Sequence, residues 1–390
     1  MLALFFIAFL LCVSEQEAQR LVCQESSSKK TSVAYLCEIK SIEYLPPMKI
    51  IKTLLKVAAG ALLLLVVAFL LGPRAHFPAF DGKMPGIDWA ITDLDSIIQT
   101  REAAVPNLKP DNQARVIWAD SVRRTPYSVV YLHGFSASPM EGDPVHREFA
   151  SRYGCNLYLA RLPQHGIDDA ESFKDVTPKD WIDAAAEALA IGHLLGEKVI
   201  LMSCSTGSTL SIYLAAENPE AVDGLIMYSP NIAIADPAAI LLTYPWGLQT
   251  ARAMVGTYRT IPGFIGWDAE KYWTVKYRTE GLQALQALLD ATMQPRYFEK
   301  IRQPLFIGYY YKNEKEKDEV ISIEAIKTFF EHTSTLPASK QLVAFPDVNT
   351  HILPSRLFSK SLPAVQEATY QFAEKVLGME RTTGYLEDGR

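Results

Sequence analysis

A chain of 390 residues that is 49% hydrophobic and 21% charged carries enough apolar material for a large buried core, which excludes a disordered or fibrous chain. Its net charge of -6 leaves no basic surplus to neutralise phosphates, so no nucleic-acid partner is expected. The five cysteines (Cys12, Cys23, Cys37, Cys155 and Cys204) show neither metal-ligand spacing nor a disulfide framework, and no metal or cofactor is expected.

Residues 1–47 lack periodicity and read as an N-terminal extension outside the native protein, with Met48 as its start, since Met48-Lys49-Ile50-Ile51-Lys52 looks like the start of an export signal. Residues 48–75 then read as a signal-anchor. Val57–Leu71 is apolar or small, and with Ile50, Ile51, Leu54 and Leu55 it approaches the roughly 20 residues that cross a bilayer. Lys49, Lys52 and Lys56 on its amino side predict a cytoplasmic N-terminus and a following domain on the extracytoplasmic side, periplasmic in a bacterium. A cleaved signal, giving a secreted protein, and a buried helix are the alternatives.

Residues 76–390 form the expected globular domain. Trp89–Ala104 is helix-like, and Arg115–Trp118 is a candidate first strand. Val129–Leu132 and Leu157–Ala160 are short apolar runs, and Trp181–Leu195 repeats at helical spacing with Asp180 as a plausible N-cap. Val199–Met202 is fully apolar and precedes a helix from Thr206 to about Ala216. Leu225–Tyr228, Leu305–Tyr309 and Leu342–Phe345 repeat the strand pattern, and Leu362–Val376 closes the domain as a helix. Runs alternating with helices predict an α/β fold with a mostly parallel sheet covered on both faces. Residues 231–300 break the rhythm and read as a helical cap inserted over the sheet's carboxyl edge.

The sharpest motif is Ser203-Cys204-Ser205-Thr206-Gly207, placed between an apolar strand and a helix of small residues. A serine on such a turn is held out as a nucleophile, although Ser203 stands where glycine is usual. Acyl transfer also needs fixed donors for an oxyanion. The expected pair is the backbone N–H groups of Phe135, in Tyr131-Leu132-His133-Gly134-Phe135-Ser136, and of Thr206. A serine hydroxyl needs a base, and of seven histidines His351, just after the last strand, is the best placed. The orienting acid should precede it in sequence. Asp318 is first choice, Glu316 second, and Asp347 lies too near His351 in the same loop. His133, Gly134, His165 and Cys204 are candidates to line the site, while His146, His193 and His332 sit in helical patterns as ordinary histidines.

The order Tyr131–Ser136, Leu162-Pro163-Gln164-His165-Gly166, Ser203–Gly207, Asp318-Glu319-Val320 and His351 resembles the α/β-hydrolase superfamily, closest to its branch of monoglyceride lipases, carboxylesterases and serine aminopeptidase-like hydrolases. The resemblance covers residues 128 to 378 and implies hydrolysis through an acyl-enzyme. An aromatic cap (Tyr244, Trp246, Phe264, Trp267, Tyr272 and Trp273) favours a small-molecule or lipid ester. A peptidase would need an acid for the substrate amine, with Asp268 and Glu270 as candidates, and a non-catalytic binding protein is the remaining alternative.

Overall fold

The computed structural model describes residues 48–382. The prefix 1–47, with the question of which methionine begins the native chain, lies outside the described residues. Residue contacts fall into two units, Met1–Leu62 and Leu63–Arg390. In the first unit the described residues belong to helix α1 (Met48–Leu70), whose stretch Ile50–Leu70 is long and apolar enough to cross a membrane.

The second unit is built on one sheet. Its strands are β1 (Arg115–Ile117), β2 (Thr125–Leu132), β3 (Asn156–Leu159), β4 (Gly196–Cys204), β5 (Gly224–Tyr228), β8 (Leu305–Asn313), β9 (Glu316–Lys317) and β10 (Lys340–Phe345). They lie in the order β1-β3-β2-β4-β5-β8-β10, with β9 hooked back on β8. All neighbours from β3 to β10 are parallel; β1 is antiparallel at the edge.

Strand alternation explains why the sheet is covered twice. In β2 and β4, Val130, Leu132, Val199 and Leu201 face one apolar cluster, while Val129, Tyr131, Ile200, Met202 and Cys204 face the other. The first is covered by α4 (Pro178–Leu195) and α5 (Thr206–Glu217), and the second by α3 (Val145–Tyr153) and α10 (Leu362–Lys375). Ahead of β1 in the chain is α2 (Leu94–Ala103), whose Leu94 and Ile98 join the first cluster.

Helix α4 starts earlier than its apolar spacing indicates. Thr177, not Asp180, is the N-cap: its hydroxyl accepts from Asp180 N–H while the Asp180 carboxylate takes the N–H of Thr177. Pro178 occupies the first helical turn, where its missing N–H costs nothing.

The segment between β5 and β8 is less helical than its composition suggested. It contains α6 (Gly247–Val255), α7 (Glu280–Thr292) and the single turn α8 (Pro295–Phe298), but also an antiparallel ribbon of β6 (Tyr258–Thr260) and β7 (Lys276–Arg278). Lys276 and Arg278 lie over the Tyr258 ring across that ribbon.

Register positions the site. Leu132 pairs with Ser203, Cys204 with Tyr228, and Tyr228 with Gly308, so the loops after β2, β4 and β5 leave one edge together. Strand β8 overruns its β5 partner and bends back through β9, and Asp318 N–H bonds Tyr310 O at 3.1 Å on its return. The last helix before β10, α9 (Ile323–His332), packs Ile326 and Phe329 on the first cluster.

Candidate active site

Ser205 stands between β4 and α5 with φ 51° and ψ -118°, a conformation that an L-residue adopts at a cost of roughly 1–3 kcal/mol. Local bonds hold the strain in place. Ser205 N–H donates to Tyr228 O at 3.0 Å, and its carbonyl accepts from the N–H groups of Ser208 at 2.9 Å and Asn231 at 3.2 Å. Gly207 is obligatory, because a Cβ there would lie 1.9 Å from Leu132 O. Ser203 fills the usual glycine position without a clash: it is buried, and its hydroxyl donates to Ser208 Oγ at 3.1 Å.

The loop after β2 lies against this turn. A Cβ on Gly134 would come within 3.0 Å of Ser205 Cβ. Ser136 takes φ 63° to complete the bend. Among the described residues, no hydrogen bond takes the N–H of Phe135 or of Thr206, the two expected oxyanion donors. The Phe135 ring packs among Phe173, Trp181, Tyr277 and His165.

His133 and His165 serve as struts. His133 Nε2 accepts from Leu162 N–H at 3.1 Å, so Nδ1 carries the proton and donates to Gly134 O at 2.9 Å. Burial pushes its pKa down to about 4 and keeps it neutral. His165 Nδ1 bonds Pro163 O, and burial also depresses this imidazole strongly. The two rings meet edge-on at 4.9 Å, tying the Leu162–Gly166 turn to the loop after β2. Cys204 is fully buried on the opposite sheet face, where burial raises its thiol well above the usual range, an inert position.

Of the acids in the loop after β8, Asp318 meets a histidine. Its carboxylate is buried, and Oδ2 lies 2.7 Å from His351 Nδ1. Oδ1 accepts from the N–H groups of Val320 at 2.9 Å and Ile321 at 3.4 Å. Burial opposes its ionisation, but the facing His351 and these two N–H groups hold its pKa below the usual value. His351 is correspondingly raised: burial pulls it down, and the Asp318 charge and hydrogen bond overcome that. Glu314 and Glu316 instead pair with Lys317 and Lys312 at the exposed rim, and Asp347 is exposed. Among the described residues no hydrogen bond joins Ser205 Oγ to His351; in unliganded sites this bond is commonly long and tightens when substrate enters.

The cap aromatics divide. Phe264 and Trp273 stack with Phe358 and belong to a small cluster with Ala137 and Ile352, one residue from Ser136 and His351 respectively. Tyr244, Trp246 and Trp267 are exposed instead, so the apolar wall beside the site is smaller than the cap's composition implied. Asp268 forms an exposed pair with Lys271, and Glu270 accepts from Gly266 N–H.

One buried acid was missed from sequence. Glu141, in the turn Pro139–Gly142, is 2% exposed and sits beneath the loop after β2, where it accepts the N–H of Gly134. Nothing in Pro139-Met140-Glu141-Gly142 marks it, because its partners are brought to it by the fold.

A parallel sheet with a strained serine at the carboxyl end of its central strand, and an acid–imidazole pair at the same edge, defines a hydrolase of the α/β class. A sequence model of the alpha/beta hydrolase family matches residues 129–356, and the chain belongs to that family. It is similar to a thermostable monoacylglycerol lipase of Bacillus sp. (strain H-257), 28% identical over 113 residues, which are 29% of this chain and 43% of that protein. The chain thus matches less than half the length of that relative. Its fold is similar to that of a metagenome-derived lipolytic enzyme (TM-score 0.55, 17% identity, covering 69% of this chain and 99% of that one). It is also similar to a soluble variant of the monoglyceride lipase of Saccharomyces cerevisiae bound to a substrate analogue (TM-score 0.50, 14% identity, covering 72% and 96%).

Proposed function

We propose that this chain is a serine hydrolase cleaving carboxylic esters, of carboxylesterase or monoacylglycerol/lysophospholipid lipase type, through Ser205, His351 and Asp318. The observation that carries this reading is the buried Asp318–His351 pair at the sheet edge that also presents the strained Ser205.

Ser205 Oγ attacks the ester carbonyl carbon and passes its proton to His351 Nε2. Nδ1–H stays on Asp318, whose negative charge stabilises the imidazolium. The carbonyl oxygen gains charge between the Phe135 and Thr206 N–H groups, each such donor being worth about 3 kcal/mol. His351 then protonates the leaving alkoxide. Water attacks the acyl-enzyme, gives its proton to His351, and the proton returns to Ser205 as the acid leaves. The apolar wall of Phe264 and Trp273 favours an ester with an acyl or aromatic group over a peptide with a free amine.

The deciding experiment sets p-nitrophenyl esters of graded chain length and a monoacylglycerol against aminoacyl p-nitroanilides, using the full chain in detergent. Ester hydrolysis should dominate. Because His351 must be neutral to act and its pKa is raised above 6.5, kcat/KM should climb with pH through a value above 6.5. Faster turnover of the anilides would reassign the chain to the aminopeptidase-like hydrolases, and inactivity on every substrate would sink the enzyme reading.

Helix α1 fits a signal-anchor. Its 21-residue apolar stretch rises about 31 Å, the thickness of a bilayer core, and its side chains are exposed along its length. Lys52 and Lys56 precede the most apolar part, which favours a cytoplasmic N-terminus and an extracytoplasmic hydrolase domain. The native protein should stay in the membrane pellet after alkaline carbonate washing and dissolve only in detergent; release into the wash would remove the anchor.

A further inference from the structure

We propose that Glu141 is a positioning residue of the hydrolytic site, an acid that fixes the oxyanion loop and shares with Asp318 the stabilisation of charged His351. This rests on the serine-hydrolase reading above and extends it to a residue outside the triad.

The geometry begins at Gly134. Glu141 Oε2 accepts its N–H at 2.8 Å and the Tyr131 hydroxyl at 3.1 Å. Gly134 directly precedes Phe135, so the bond fixes the peptide plane one step before the expected oxyanion donor. The glycine is wedged between acid and nucleophile: a Cβ on it would lie 2.8 Å from Glu141 Oε1 and 3.0 Å from Ser205 Cβ. Any larger residue at 134 would separate the loop from the serine.

Electrostatics add a second role. The Tyr131 hydroxyl on β2 bonds Glu141, and the charge of His351, in the loop after β10, acts on it electrostatically. His146 on α3 packs edge-on against Tyr131 and is kept neutral by burial, with a pKa near 3. His351 gains a positive charge during turnover, and against the pull of burial the carboxylates of Asp318 and, last, Glu141 raise its pKa. Burial pushes the Glu141 carboxyl up to about 7, against the donors that favour its anion. The charge that supports the imidazolium is thus gained as pH rises through neutrality.

The test compares Glu141→Gln and Glu141→Leu with the parent, all as full chains in detergent, on one p-nitrophenyl ester. Glutamine keeps an acceptor for Gly134 N–H but lacks the charge. It should leave KM within about twofold, lower kcat about tenfold, and move the acid limb of kcat/KM to lower pH, since His351 loses a negative neighbour. Leucine removes the acceptor too, and should lower kcat about a hundredfold with the same downward shift. A Glu141→Gln protein with parental kcat and an unmoved acid limb overturns the proposal even if the leucine variant fails to fold. A parent inactive on esters and unreactive to a fluorophosphonate probe would instead mark failure of the serine-hydrolase reading.

Discussion

Ser205→Ala should cut ester turnover by roughly ten-thousand-fold or more, about 5 kcal/mol or more of lost transition-state stabilisation, while leaving the folded protein in place. The argument is local. The main-chain bonds that hold the strained turn, from Ser205 N–H to Tyr228 O and to the Ser205 carbonyl from Ser208 and Asn231, do not involve the hydroxyl. Alanine can occupy the same backbone at no greater steric cost, and the Gly207–Leu132 contact is untouched. The thermal midpoint should therefore stay within a few degrees of the parent. Fluorophosphonate labelling of the full chain should vanish. Persistent labelling with ester turnover above a tenth of the parental rate would move the nucleophile to another residue.

The second large effect is expected at Asp318. Asp318→Asn should lower kcat by roughly ten-thousand-fold, and the hydrogen bonds say why. Oδ1 is already taken by the N–H groups of Val320 and Ile321. An asparagine would keep its carbonyl oxygen there, turning its NH₂ group toward His351 Nδ1. That nitrogen would then have to accept, and the ring proton would shift to Nε2. His351 would thus present a donor to Ser205 where a base is required. With the negative charge gone, the His351 pKa should fall and the acid limb of the residual activity should move to lower pH. Glu316→Gln is the control, because Glu316 is an exposed partner of Lys312 and should change turnover little. If Glu316→Gln were the crippling change and Asp318→Asn the silent one, the orienting acid would be Glu316.

Much of this arrangement is legible in the chain because the signals are local. A run such as Val199–Met202 followed by Ser205, Thr206 and Gly207 carries its own geometry: apolar residues that must be buried on both faces, then small residues where backbones meet. Ends were less legible. β2 begins at Thr125, because its start pairs with Gly196 through backbone bonds that need no apolar side chain. The N-cap of α4 is Thr177, since a capping box is decided by which oxygen reaches which N–H. The cap's aromatic content favours an apolar substrate, whereas exposure divides its aromatic residues between the site and the outer surface.

The alternation of strand and helix, the position of the serine turn and the order of Ser205, Asp318 and His351 are all readable from the chain. These are properties of short segments, set by periodicity and by backbone conformations that few residues tolerate. Folding selects which acid of residues 312–318 meets His351, pairs Ser203 with Ser208 where glycine is usual, and brings Glu141 under Gly134. Those choices depend on burial and on distances between residues far apart in the chain, and an exposed carboxylate and a buried one are written with the same letter.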